Sequence, residues 1–245
     1  MSIAGDTVIH TLTGPQTVTR IANTDKAVHV FAWNGAKIAG GRIYIPPTPC
    51  RAQTYRVVLD NGRSLRVSAD QRFLVFTKSE PKGVETVQAI DLKPGTSLLP
   101  LYLGRIKQGG YPTFKQVGDH WKRSACASDR KRWRSVARMV YEWASGDALV
   151  PGLRVKHKDG NPDNCHPKNL YIDGTPRPGN RSKLNRLLDL QRKIMPGNHK
   201  VAGCEPWIEE EDVYDVLPQD CSSVAATEVF LGVGEETGGL DGPPR

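Results

Sequence analysis

The 245-residue chain carries 34 Lys and Arg against 26 Asp and Glu, a formal net charge of +8, and 38% of its residues are hydrophobic. That composition excludes general disorder, and no apolar run approaches the roughly 20 residues that cross a bilayer as a helix. The positive charge is concentrated: residues 105–200 hold 21 Lys and Arg against 8 Asp and Glu, a net of +13, while the rest of the chain is net −5. A basic segment of this density attracts polyphosphate backbones independently of their sequence.

Residues 3–103 read as β structure. TVIHTL is a short strand followed by a turn at TGPQ. HVFAWNGAKIAGGRIYI holds two strands about Asn34-Gly35, and TYRVVLDNGRSLRVSADQRFLVF two more about Asp60-Asn61-Gly62, both strong hairpin turn signals. DLKPGTSLLPL closes the segment. Many short strands with Gly and Pro turns predict a closed or sandwich-like β fold.

The middle of the chain changes character. RKRWRSVARMVYEWASG (130–146) has apolar Trp133, Val136, Val140 and Trp143 near helical spacing, which predicts a basic amphipathic helix stopped by Gly146. RSKLNRLLDLQRKIM (181–195) predicts a second one, with Asn180 near its N-cap and Pro196-Gly197 at its end. Strand character returns at HKVAGCE, EDVYDVLP and SSVAATEVFLGV, and GEETGGLDGPPR reads as a flexible tail. The order β, basic α, β suggests a β domain split by an insertion.

Between the two helices lies VKHKDGNPDNCHPKNLYI (155–172). His157 ends a predicted strand, Asp159-Gly160-Asn161 and Pro162-Asp163-Asn164 make turns, and Asn169 opens a second short strand. A neutral imidazole there can take a proton from water beside a phosphodiester. It needs a partner on its other nitrogen to fix its tautomer, which an amide such as Asn169 from the facing strand could supply. A divalent cation would stabilise the developing charge and the leaving oxygen.

The stretch SVARMVYEWASGDALVPGLRVKHKDGNPDNCHPKNLYIDGT resembles the HNH endonucleases of phages and mobile introns through Arg138, Val140, Tyr141, Glu142, His157, Asp159, Gly160, Asn161, Asn164, Pro167, Asn169 and Leu170. The resemblance implies a ββα-metal site that cuts double-stranded DNA, with His157 as general base, Asn169 as the residue that orients it, and Asn180 as a ligand of Mg²⁺ or, alternatively, Mn²⁺. Arg130, Lys131, Arg132, Arg134, Arg181, Lys183 and Arg186 are the expected phosphate contacts. The chain departs from the pattern at Lys156, where some members have a metal-binding Asp, and at Cys165, where a second Asn is usual.

The flanking segments resemble a Hint (hedgehog/intein) domain, carried by SIAGDTVIHTLTG, GRSLRVSADQRFLVF and DLKPGTSLLPL before the insertion and by NHKVAGCE and DVYDVLPQDCSSVAATEVFLGV after it. Its splicing positions are degenerate. Ser2 stands for the first splicing residue, Ser68-Ala69-Asp70-Gln71 for the Thr-x-x-His motif, Cys221 for a later histidine, and Gly232-Val233 for the terminal His-Asn. Gln71 cannot exchange a proton as an imidazole does. No asparagine follows Asn198, so cyclisation there is impossible.

The expectation is therefore a mainly β Hint-type fold interrupted by an α+β HNH (ββα-metal) domain. The parts are residues 2–104 and 198–233 for the Hint scaffold, 105–197 for the insertion, and 234–245 for the tail. The expected function is a DNA endonuclease on a splicing-defective scaffold. Two other readings stay open: an autoprocessing Hint protein, and a non-catalytic DNA-binding or phage structural protein. The start MSIAGDTVIHTLTG shows no signal peptide. The five cysteines (Cys50, Cys126, Cys165, Cys204, Cys221) are odd in number without a CxxC pair, which suggests neither a zinc knuckle nor a disulfide framework. An intracellular setting follows, the cytoplasm of a bacterial host, with virion association as the other possibility. No membrane partner is expected, and a monomer fits.

Overall fold

The computed structural model describes residues 2–76, 83–105, 112–115, 133–150, 152–174 and 199–233. The second predicted basic helix, with Asn180, Arg181, Lys183 and Arg186, lies outside these residues, as do Arg130, Lys131, Arg132 and the tail.

The chain is mainly β. Strands β1 (Ser2–Ala4), β2 (Val8–Thr11) and β3 (Gly14–Thr17) lead into a short helix α1 (Val18–Ala22), then β4 (Val28–Trp33), β5 (Ile38–Tyr44), β6 (Cys50–Leu59), β7 (Ser64–Val67), β8 (Arg72–Phe76) and β9 (Val84–Gln88). The hairpins about Asn34-Gly35 and Asp60-Asn61-Gly62 form with Gly35 and Gly62 at positive φ, the conformation that glycine adopts without steric cost. The expected turn at TGPQ is instead β3, paired with β2 from Val8↔Thr17 to Thr11↔Gly14. The reversal falls two residues earlier, where the Thr11 hydroxyl bonds the Gly14 carbonyl at 2.6 Å. The Thr17 hydroxyl then caps α1 by accepting from Arg20 N–H.

Strands from both ends of the chain build the two main sheets. In one, β15 (Val201–Asp215) lies between β1 and β6, and β1 also pairs with β7, which closes the four strands. The other runs β16 (Leu217–Pro218), β5, β4, β2, β17 (Ser223–Ala226), β18 (Val229–Gly232), β8, β9, so β17 and β18 sit inside a sheet whose other members are mostly from the first hundred residues. Between them Ile3, Ile9, Ile43, Val57, Phe73, Val224 and Leu231 form one buried cluster.

The middle segment contributes β10 (Leu103–Arg105), β11 (Pro112–Lys115) and β12 (Trp133–Ser135) as a small sheet, then helix α2 (Val136–Ser145) and the antiparallel hairpin β13 (Arg154–His157) and β14 (Leu170–Asp173). Helix α2 is shorter than its periodicity predicts. It starts at Val136 rather than 130 because Trp133–Ser135 pair with Thr113–Lys115 and the Ser135 hydroxyl accepts from Arg138 N–H. Trp133 therefore belongs to a strand, and the buried helix face is Val136, Ala137, Met139 and Val140. Gly146, at φ 77°, ends the helix as expected.

A second hydrophobic cluster joins the middle segment to the scaffold. Phe114, Val136, Ala137, Val140, Cys165 and Leu170 pack with Phe31, Trp33, Ile38, Leu99, Leu101, Ala225 and Phe230. Helix α2 thus covers the face of the sheet at β4 and β5.

Candidate functional sites

The first site lies where the start and the end of the scaffold meet. Register pairs Ser2 with Asp215 and Ile3 with Val67. The Ser2 hydroxyl donates to Asp215 Oδ1 at 2.5 Å, and Ser2 N–H donates to Ser68 Oγ at 2.9 Å. Ser68 N–H returns a bond to the Ser2 carbonyl at 2.9 Å. Ser2 is buried, while Asp215, whose carboxylate accepts from its hydroxyl, is exposed. Burial acts to raise the Asp70 carboxyl, but the hydrogen bond from Ser68 helps to hold it below the ordinary aspartate range.

Gln71 closes the turn that begins at Ser68, its N–H bonded to the Ser68 carbonyl at 3.0 Å. Its side chain is buried, and Nε2 donates to the Gly232 carbonyl at 2.8 Å and to the Arg72 carbonyl at 3.0 Å. Ser2, Ser68, Gln71 and Gly232 are therefore linked across both ends of the scaffold. Val233 continues from Gly232 with its N–H on the Ser222 carbonyl at 2.9 Å. Cys221 faces elsewhere: its thiol donates to the Arg42 carbonyl at 3.4 Å and lies against Gly41. Burial pushes that thiol up to about 11, so it is not a thiolate nucleophile at neutral pH. Asp215 escaped the sequence reading. Its partner is 213 residues away, and only the β1–β15 register brings the two together.

The second site is the β13–β14 hairpin. Its register sets His157 opposite Leu170 and Lys156 opposite Tyr171. The connecting loop is tied by its own side chains. Asp159 Oδ1 accepts from Asn161 N–H at 2.9 Å and from Asn169 Nδ2 at 2.9 Å, and Asp159 Oδ2 accepts from Asn164 Nδ2 at 2.6 Å. Asn169 Nδ2 also donates to the Asn164 carbonyl at 2.7 Å, and its Oδ1 accepts from Asp159 N–H at 3.2 Å. These bonds from Asn169 and Asn164 hold the Asp159 carboxyl below its usual range. Gly160, at φ 71°, makes the tight turn.

His157 and Asn169 are brought to the same hairpin, but the amide of Asn169 is engaged by the loop. The buried Cys165 thiol lies beside His157 Nε2, with Sγ at 3.6 Å. Burial lowers the His157 pKa, while Asp159 and Asp163 act against that, so the ring is neutral at pH 7. Arg138 and Glu142 are structural partners: they bond each other at 2.9 Å, Glu142 accepts from Leu149 N–H at 3.1 Å, and Arg138 donates to the Leu149 carbonyl. Together they pin the loop that leads into β13.

Lys156, in the place of a metal-binding Asp, forms an ion pair with Asp173 at 2.5 Å. Asp163 is paired with Arg105 at 2.7 Å. Among the described residues no group of three His, Cys, Asp or Glu is placed to hold a metal ion, so these residues do not by themselves make a cation site. The one further ligand expected from the sequence, Asn180, lies outside them. Of the expected phosphate contacts, Arg134 is described and is exposed on β12.

No family model and no curated protein matches the chain. Among solved structures, it is similar to the G-1F mutant of the Ssp DnaB mini-intein variant M86, at 11% identity and a TM-score of 0.47 over 96% of this chain and 99% of that one. It is similar to a DnaB intein from Synechocystis sp. PCC 6803 at 9% identity and a TM-score of 0.45, over 96% and 99% of the two chains. It is also similar to the TvoVMA intein, at 12% identity and a TM-score of 0.45 over 94% and 96%.

Proposed function

We propose that the chain rearranges its own backbone at Ser2 on a Hint-type scaffold. The observation that carries this reading is the Ser2 hydroxyl on the Asp215 carboxylate at 2.5 Å while the amide of the same residue is held by Ser68 Oγ at 2.9 Å. A nucleophile and a base are paired at a peptide bond. Ser2 Oγ attacks the carbonyl carbon of the bond that precedes it, the C–N bond breaks, and an ester forms. Asp215 takes the hydroxyl proton and returns it to the departing nitrogen, so no proton is gained or lost. Water then hydrolyses the ester and releases the upstream segment. Gln71 cannot protonate the nitrogen, so the shift is slow. Release at Gly232-Val233 by asparagine cyclisation is not proposed, since neither residue is asparagine.

The test is a fusion with a folded carrier upstream of Ser2, treated with hydroxylamine, which intercepts esters. Mass spectrometry is expected to find cleavage on the amino side of Ser2 in the parent and none in Ser2→Ala. A parent fusion that stays intact in hydroxylamine overturns the reading.

A second reading concerns the β13–β14 hairpin: cleavage of double-stranded DNA with His157 as general base and Mg²⁺ or Mn²⁺ as cofactor. It is favoured by the neutral His157 at the base of a loop that Asn169, Asn164 and Asp159 hold in one shape, together with the HNH-like spacing and the basic middle segment. Nicking of supercoiled plasmid in Mg²⁺, lost in His157→Ala, supports it. Absence of nicking in both Mg²⁺ and Mn²⁺ removes it.

A further inference from the structure

A cavity of about 670 Å³ lies where α1, the β2–β3 hairpin, β7 and the β17–β18 turn meet, and its wall includes Arg20, Arg63, Arg66, Thr7, His10 and Ser64. Neither Ser2, Asp215 nor any residue of the β13–β14 hairpin lines it. Its volume falls within the range of small-molecule sites, roughly 300–1,000 Å³.

The arginines come from different places in the chain: Arg20 from α1, Arg63 from the turn before β7, and Arg66 from β7. Each keeps donors for a further acceptor. Arg20 is exposed and has no ion-pair partner among the described residues. Arg63 commits Nη1 to Glu228 at 3.1 Å. Arg66 commits Nε to Glu211 at 2.8 Å and Nη2 to Asp6 at 3.0 Å. Asp6 is the one carboxylate among the described residues of the wall, so the wall is net positive. A lone carboxylate is satisfied by one guanidinium fork. Several forks around one space suit phosphate groups, which carry more charge and more acceptor oxygens.

The same wall holds polar groups without partners. Thr7, 4% exposed, has none for its hydroxyl, and neither ring nitrogen of His10 has one. Buried polar groups are nearly always paired in folded proteins. A phosphate oxygen held by the arginines supplies the acceptor that the Thr7 hydroxyl and an imidazole N–H of His10 lack.

We propose that this cavity binds a small molecule carrying two or more linked phosphate groups, with Arg20, Arg63 and Arg66 on the phosphates and Thr7 and His10 completing the seat. Such a ligand joins β7 of the closed four-stranded sheet to β2, β3 and the β17–β18 turn of the other, and it stabilises the scaffold by mass action. Binding there is independent of both the Ser2 reaction and DNA cleavage.

The test is calorimetric titration of the full chain with inorganic pyrophosphate, with citrate as the carboxylate comparison, alongside thermal melts. The parent is expected to bind pyrophosphate at one saturable site and to melt higher in its presence. Arg20→Ala is expected to weaken binding about tenfold, as loss of a hydrogen bond to a charged group does. Thr7→Val, close to the same shape without the hydroxyl, is expected to weaken binding several-fold without lowering the melting temperature of the unliganded protein, since no partner within the protein is lost. Arg154→Ala removes the same charge from an exposed position on β13 outside the cavity and is expected to bind as the parent does. A parent without saturable binding overturns the proposal, and that titration requires no variant to fold. Citrate bound as tightly as pyrophosphate overturns it too, as does an equal loss in Arg154→Ala and Arg20→Ala, the mark of general attraction to a basic chain.

Discussion

Trp143 of helix α2 lies flat against Gly40 of strand β5: a Cβ at residue 40 would come within 2.5 Å of the indole Cδ2 and Cε3. The His29 ring stands edge-on to the same indole at 5.7 Å and to His166 at 4.8 Å. The middle segment is therefore fitted to the scaffold side chain by side chain, and the two share a buried cluster.

Gly40→Ala is expected to destabilise the protein by about 1–3 kcal/mol, the usual cost of overpacking a filled contact, read as a lower urea midpoint. Excising residues 106–196 is expected to give an aggregating product, because it uncovers Phe31, Trp33, Ile38, Leu99, Leu101 and Phe230. A soluble, cooperatively unfolding product would show that the scaffold closes over that face unaided.

In the carrier fusion, Asp215→Asn is expected to slow hydroxylamine cleavage by about 10² or more, the usual contribution of a positioned base. The amide keeps the shape and loses the proton acceptor. A rate within threefold of the parent would remove Asp215 from the chemistry.

Gln71→Leu is expected to cost about 1–3 kcal/mol, because it leaves the Gly232 carbonyl without its donor in a buried place. The parent and variant urea curves decide it. Gln71→His tests the other property of the position: it restores a group able to protonate the nitrogen, and the cleavage rate should rise.

His157→Ala is expected to lower plasmid nicking by roughly 10² or more with little change in DNA affinity. The affinity itself should fall steeply with salt, with a log–log slope of about −0.9 per phosphate contact. A flat response between about 50 and 200 mM salt would leave DNA without an electrostatic basis as the partner.

His10, His29 and His157 all have pKa values lowered by burial. The native state then binds fewer protons than the unfolded chain just below pH 6.5. The stability from these groups is present above that value and is lost as pH falls through their folded pKa values. The urea midpoint is expected to drop between pH 7.5 and 5.5, and to drop less in His10→Phe. An unchanged midpoint over that window would mean that the rings are solvated.

The amino-acid sequence by itself determined the strand-rich scaffold, its two Gly hairpins and the C-terminal stop of α2 at Gly146, because these are signals within a few residues of backbone. It also placed His157 and Asn169 on one polar hairpin, since their spacing is local. It put the start of α2 six residues too early, because Trp133–Ser135 fit a helical period as well as a strand and only pairing with β11 decides between them. The tertiary structure alone decided that Asp215 meets Ser2, that Gln71 holds Gly232, that Cys165 lies beside Nε2 of His157, and that Trp143 covers Gly40. Strand pairing and packing bring together residues far apart in the chain, and local periodicity carries no record of which distant partner a register or a packed face will choose.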